Sequence, residues 1–385
     1  MNVVSHSHIA ALVNRYEHDE LAQLLLVVEQ LDLAAEMLRS DSVASIRAAL
    51  ILLDHHAEIL LRRHSESLFR AGDGKGPFVG RAFKDSDRGK IRDKFERKID
   101  VAAGTSDLGD GVVAIIDRDT AACLRLAHRH RNAAYHRDDH NPGVLQLICL
   151  LQLQAVCGLL AATTSRVTVG VREEVPVLLG HGIEASDTEG LRHAIDLRDA
   201  AERVAASITS ELELPFEPVK AAFAEDLLDR GRAAIGVVVE VSEAGLPEYN
   251  LYFAIEHDEF WDKHGSDEQL VELRQRSDPW HRAGPGESPG RLSDEVEADM
   301  TLANDLRNER YIELRQAFRP KARQEAAIAA VKQVEKLLGD DTLGKAVERY
   351  DRLDRELAVF ERYLPAAVRA LDAMEERAVD YALER

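Results

Sequence analysis

Cysteine is scarce in this chain: among 385 residues it occurs three times, at Cys123, Cys149 and Cys157. None stands in a Cys-x-x-Cys or Cys/His spacing, which argues against a zinc site and against a disulfide framework. Each thiol is expected to pack as a small apolar side chain in a reducing cytoplasm. Long apolar runs are read as missing too. No stretch is taken to reach the roughly 18 apolar residues of a membrane span. The opening residues, MNVVSHSHIAALVNRYEHDE, lack the basic start and cleavage pattern of a secretory signal. A cytoplasmic protein without membrane attachment is expected. Aromatic residues make up only 5% of the chain, while Ala, Leu, Glu and Arg abound. Those four favour helices, so a mostly α protein is predicted. Net positive charge is lacking as well. A formal charge of −20 sets up a field that repels phosphate and argues against broad affinity for nucleic acid.

The shortage of positive charge is uneven. Asp41–His140 holds 18 Lys and Arg against 16 Asp and Glu, whereas the rest of the chain holds 31 against 53. Within that near-neutral block, Arg81–Lys98 carries eight bases and four acids. A second concentration, HRHRNAAYHRDDHNPG at His128–Gly143, packs four histidines and three arginines into sixteen residues.

Apolar residues at spacings of three and four predict helices over Asp19 to about Leu38, from Ser40 through Leu61 to Phe69, and from about Asp117 into the second cluster. The basic block reads as a polar helix, and Val144 to about Thr164 as a helix apolar on nearly every side. Together these make a bundle of four or five helices over residues 15–165. GDGKGPFVG, Gly72–Gly80, is expected to be a loop. It lacks both the GxxxxGK[ST] spacing and a preceding strand, so a nucleoside-triphosphate site is rejected there. A linker is expected near 166–190 and an α+β region over 190–290. That region should contain a helix at about Arg192–Glu213 and a β-hairpin in IGVVVEVSEAGLPEYNLYFAIEH, Ile235–His257. The Pro/Gly-rich Ser277–Gly290 marks a second boundary, and 291–385 reads as a helical C-terminal region.

RNAAYH, Arg131–His136, is placed on the last turns of its helix, running into a DDHNPG stop. Asn132 and His136 are four residues apart and share a face, whereas Arg131 and His136 lie about 140° apart on an ideal helix. The latter two converge only if the helix end unwinds or a second chain contributes. Arg-Asn-x3-His at the end of a helix, preceded by a long apolar helix with ALILLDHHAEILLRR, resembles the HEPN superfamily. The resemblance covers residues 15–165. It implies a metal-independent endoribonuclease without a cofactor, acting as a toxin or in phage defence. Arg131, Asn132 and His136 are the matched site residues. In such chemistry a histidine serves as base or acid near neutrality and an arginine fork holds the phosphate. One departure stands out: toxins of this kind that are silenced by nucleotide transfer carry a tyrosine two residues after the histidine, where this chain has Asp138.

The remaining expectations follow from charge and spacing. Arg88, Lys90, Lys94 and Arg129 are candidates for RNA contact. Asp54 and Glu58 are candidates to support the motif from the neighbouring long helix. His55 and His56 are adjacent and point about 100° apart, so both cannot face it. His140 with Asp138 and Asp139 superficially resembles a metal site, but carboxylates beside a Pro turn read as turn and capping residues, and no metal is expected. The partners expected are RNA, a second copy of the chain in a two-fold homodimer through the N-terminal bundle, and an antitoxin or trigger protein at the C-terminal region. A non-catalytic helical interaction module is the competing reading.

Overall fold

The computed structural model describes residues 19–40, 42–71, 83–105, 113–134, 141–171, 175–184, 186–188, 191–210, 212, 214–243, 248–277, 309–323 and 325–383. Their chain is mostly helical with one small β element. Contacts divide it into two units: Met1–Asp226 with Lys336–Asp351, and Leu227–Glu335 with Arg352–Arg385.

The first unit opens with α1 (Asp19–Leu38) and α2 (Val43–Arg70), which pack against each other. Ile46, Leu50, Leu53, Ala57, Leu60 and Leu61 recur at helical spacing along α2 and are buried. At about 1.5–3 kcal/mol for each fully buried large apolar side chain, this stripe fixes which face of α2 is turned inward. The basic block forms two short helices, α3 (Asp85–Asp93) and α4 (Phe95–Ala102), where the sequence suggests one. Lys94 between them is extended, and each piece sends its own apolar residues inward, Ile91 from α3 and Phe95 and Ile99 from α4. α5 (Arg118–Ala134) and α6 (Pro142–Thr163) complete the bundle. Asn141 caps α6, its side-chain oxygen accepting from the Gly143 backbone N–H at 3.1 Å ahead of a first-turn proline.

α6 corrects one sequence expectation. By length and composition alone it is a helix able to cross a membrane. Of its most apolar 18 residues 72% are buried inside the chain, and the helix packs on α1, α2 and α5 and on α8 (Leu197–Ser210), as the core helix of a bundle does. Its apolar surface is therefore covered largely from within the chain.

The segment expected to be a linker is structured. β1 (Thr168–Gly170), a single-turn α7 (Pro176–Leu179), β2 (Ser186–Thr188) and β3 (Leu191–Asp196) form a three-stranded antiparallel sheet in the order β1-β3-β2. Thr168 pairs with Asp196 and Ser186 with Ala194. A hairpin therefore exists, but at β2–β3. Asp196 ends the strand and starts α8, its Oδ1 accepting from the backbone N–H groups of Arg198 at 2.9 Å and Asp199 at 3.0 Å.

The predicted hairpin at Ile235–His257 is overturned. Its described residues lie in two helices, α9 (Phe216–Glu243) and α10 (Glu248–His264). Val219, Phe223, Leu227, Ala234 and Val238 are buried at helical spacing along α9, and that packed face outweighs the weak strand preference of the valines. The first unit also takes back Lys336–Asp351, the end of α13 (Glu325–Leu338) and the start of α14 (Leu343–Leu383). Buried Lys220 secures this return by donating to the carbonyls of Leu338 at 2.9 Å and Asp340 at 3.1 Å, the place where a helix end favours a cation.

The second unit adds α11 (Glu268–Ser277) and α12 (Glu309–Ala317). Its core gathers Phe260, Trp261, Leu270 and Phe318, with Tyr311 packed on them. Arg230 bridges Asp354 at 2.6 Å and Glu361 at 2.7 Å. The Gly72–Gly80 loop and the Ser277–Gly290 boundary fall outside the described residues, except Ser277 itself, which ends α11.

Candidate functional site

Three helices of the first unit each bring a pair of side chains, one turn apart, to a common place. α2 supplies Asp54 and Glu58, α4 supplies Phe95 and Lys98, and α5 supplies His128 and Arg131. Spacings of three or four put each pair on one helix edge. Their relative placement follows from the packing of α2 on α4 and α5 and of α4 on α5. The α4–α5 seam is also tied by Arg125, which meets Glu96 at 3.0 Å and Asp100 at 2.7 Å.

Asp54 is the centre of this group. It is only 1% exposed, so its carboxylate depends on protein partners for solvation. His128 supplies one, with Nδ1 at 2.9 Å from Oδ1 and 3.2 Å from Oδ2. Arg131 supplies the other, with Nε 3.4 Å from Oδ2. The His128 ring is stacked on Phe95, centroids 3.9 Å apart and planes 14° from parallel. Beyond Asp54, Arg131 also donates from a terminal nitrogen to Asn132 Oδ1 at 2.9 Å. Arg131 is partly exposed and Asn132 is at the surface.

Glu58, one turn along α2, accepts from buried Lys98 at 3.0 Å. That hydrogen bond holds the Glu58 carboxyl below its ordinary range against the opposing effect of partial burial, and the charges of Lys98, His128 and Arg131 act in the same direction. The acid thereby compensates an ammonium that would otherwise be buried unpaired.

His136, the third residue of the motif, lies outside the described residues, as do Asp138, Asp139 and His140. Among the described residues no group of three metal-ligating side chains comes together. Of the candidate RNA contacts, Arg129 is turned elsewhere: its Nε reaches Asp351 at 2.5 Å and a terminal nitrogen meets His130 Nε2 at 3.1 Å. It ties α5 to the start of α14. Arg88 is partly built into the fold, donating to the Phe83 carbonyl at 3.1 Å and lying over the Phe69 ring. Lys90, weakly paired with Asp87 at 3.6 Å, and Lys94 remain exposed. Of the two adjacent histidines on α2, His55 is exposed and His56 is buried, where it bonds Gln30 on α1 and does not face α5.

The residue that sequence reasoning left out of the site is His128. Its signal was the i, i+3 spacing to Arg131, which sets both on the helix edge that meets Asp54. Chemically the group offers a partly exposed guanidinium and an imidazole, both fixed by one buried carboxylate. Compared with protein-family models, with curated proteins and with solved structures, the chain matches none.

Proposed function

We propose that this protein is a metal-independent endoribonuclease of HEPN type, with Arg131, Asn132 and His136 as its acting residues. The observation that carries the reading is the hold of buried Asp54 on Arg131, which presents a fixed positive fork at the helix end where the Arg-Asn-x3-His motif places it. A guanidinium so held is suited to a phosphate whose negative charge grows in the transition state. His136 removes the proton of the ribose 2′-hydroxyl, the 2′-oxygen forms a bond to phosphorus, and the bond to the 5′-oxygen breaks. The products are a 2′,3′-cyclic phosphate and a 5′-hydroxyl. Three buried free cysteines are consistent with the cytoplasmic setting of a toxin or phage-defence effector. The reading keeps a two-fold homodimer through the N-terminal bundle, because Arg131 and His136 are five residues apart, and gives the C-terminal region to a trigger or antitoxin.

The test is cleavage of a mixed RNA pool by the purified chain in excess chelator, with cyclic-phosphate ends as the product assayed. His136→Ala should lose about 10²–10⁴-fold in rate and Arg131→Ala about 10²–10³-fold, both retaining the helical spectrum of wild type. Full activity in His136→Ala, or dependence on added metal, would overturn the reading. A folded wild type that cleaves no RNA leaves the interaction module in its place.

RNA docking is assigned to the exposed lysines beside the site. Single-stranded RNA releases about 0.7 counterion per phosphate contact, so the Lys90→Glu, Lys94→Glu double variant should bind more weakly and with a salt slope shallower by about 1. Arg88 is left in place because its bond to Phe83 supports α3. A slope equal to wild type across a salt titration would move RNA off this face.

A further inference from the structure

We infer that His128 is a second proton-transfer residue of the site, the acid that protonates the leaving 5′-oxygen; the inference rests on the ribonuclease reading above. Cleavage there needs two proton movements, and His136 as base accounts for one. The other requires a donor near the phosphate held by Arg131.

Three observations select His128. Its Nδ1 is taken by both oxygens of a buried carboxylate, at 2.9 and 3.2 Å, which fixes the ring's orientation and keeps the Nδ1 proton in place. One ring face is covered by Phe95 at 3.9 Å, which stops the ring from tilting. The opposite nitrogen, Nε2, has no hydrogen-bond partner among the described residues, and the side chain keeps 22% of its surface exposed. A carboxylate on one ring nitrogen with the other left open is the arrangement by which an imidazole gives and takes protons without moving.

Placement supports the same role. His128 stands three residues before Arg131 on one helix edge, and Asp54 holds both. A phosphate gripped by Arg131 therefore lies beside a ring anchored to the same carboxylate. The groups around the ring are Asp54 and Glu58 from α2, Phe95 and Lys98 from α4, and Arg131 on its own helix. In the step, the ribose 2′-oxygen bonds to phosphorus and the P–O5′ bond breaks. The Nε2 proton of the imidazolium passes to the 5′-oxygen, leaving a neutral ring that regains a proton from water.

The decisive substrate is an RNA whose 5′-bridging oxygen is replaced by sulfur, because a thiolate departs without a proton. The variant is His128→Asn, whose amide N–H takes the place of Nδ1–H toward Asp54 while nothing replaces Nε2. On ordinary RNA it should be slower than wild type by about 10²–10⁴-fold. On the sulfur substrate it should come within about tenfold of wild type, whereas His136→Ala and Arg131→Ala stay slow on both. The ratio of the two rates in one preparation does not depend on how much of the variant is folded. An equal loss on both substrates reduces His128 to a structural role, and no loss on either removes it from the chemistry; each overturns the inference. A wild type that cleaves neither substrate fails the ribonuclease reading itself and takes His128 with it.

Discussion

Asp54→Ala is expected to unfold about 3 kcal/mol more easily than wild type, seen as a lower urea midpoint at unchanged slope. The carboxylate accepts from His128 and is ion-paired with Arg131 in a place where it is itself almost fully enclosed. Removing it leaves two basic side chains turned toward a cavity with no anion. The figure sits at the low end for breaking a buried pair, because Arg131 is 32% exposed and His128 22%, so water screens part of what is lost. On the ribonuclease reading proposed above, cleavage should fall further than stability. With no anchor the guanidinium samples many rotamers, and a misplacement of about 1 Å costs on the order of 10²-fold in rate. Asp54→Asn keeps the volume and one acceptor oxygen, so it should retain more stability than alanine while still losing the charge that holds Arg131. A midpoint within about 0.5 kcal/mol of wild type for the alanine variant would show that Asp54 does not organise the group.

What the sequence made legible was helical periodicity and one side of this site. The long stripes of α1, α2 and α6 fold as their spacing requires, and Asp54 and Glu58 stand on the helix expected to support the motif. Which of them reaches Arg131 was not legible, since that depends on how α2 and α5 are rotated against each other in three dimensions. His128 escaped for a related reason: in a run of adjacent bases every residue reads as surface until a buried acid on another helix selects one. The hairpin misreading at Ile235–His257 is of another kind. A run of valines satisfies a strand preference of less than about 1 kcal/mol, while the repeat Val219, Phe223, Leu227, Ala234, Val238 already spelled a helix across the preceding residues. At Arg192–Asp196 the opposite occurred, and the cue was Asp196, a capping residue that starts α8 only at Leu197.

Acid should weaken the first unit through two histidines of α2. Burial pushes the His56 ring down to about 4, with the charges of His55 and Arg63 adding to the effect, and burial alone pushes His64 down to about 4. The geometry gives the cause. His56 donates from Nε2 to Gln30, its Nδ1 is enclosed without a partner among the described residues, and His64 Nε2 is enclosed likewise. A proton added to either nitrogen would be buried without an acceptor. The unfolded chain exposes both rings at their ordinary value of 6.5, so between pH 6.5 and about 4 it binds more protons than the folded chain. Stability from these groups is complete above about pH 6.5 and is lost as pH falls through that window. At about 1.4 kcal/mol per pH unit, each ring forfeits about 3 kcal/mol, a large share of the roughly 5–15 kcal/mol that holds a domain folded. Urea midpoints measured from pH 7.5 down to 4 should therefore drop steeply for wild type. The His56→Gln, His64→Gln double variant should show a flatter profile, because its side chains take up no proton on unfolding. Carboxylates that lose their partners in acid contribute to both proteins equally, so the difference between the two curves isolates the histidines, and curves that run parallel would remove the buried rings from the acid response.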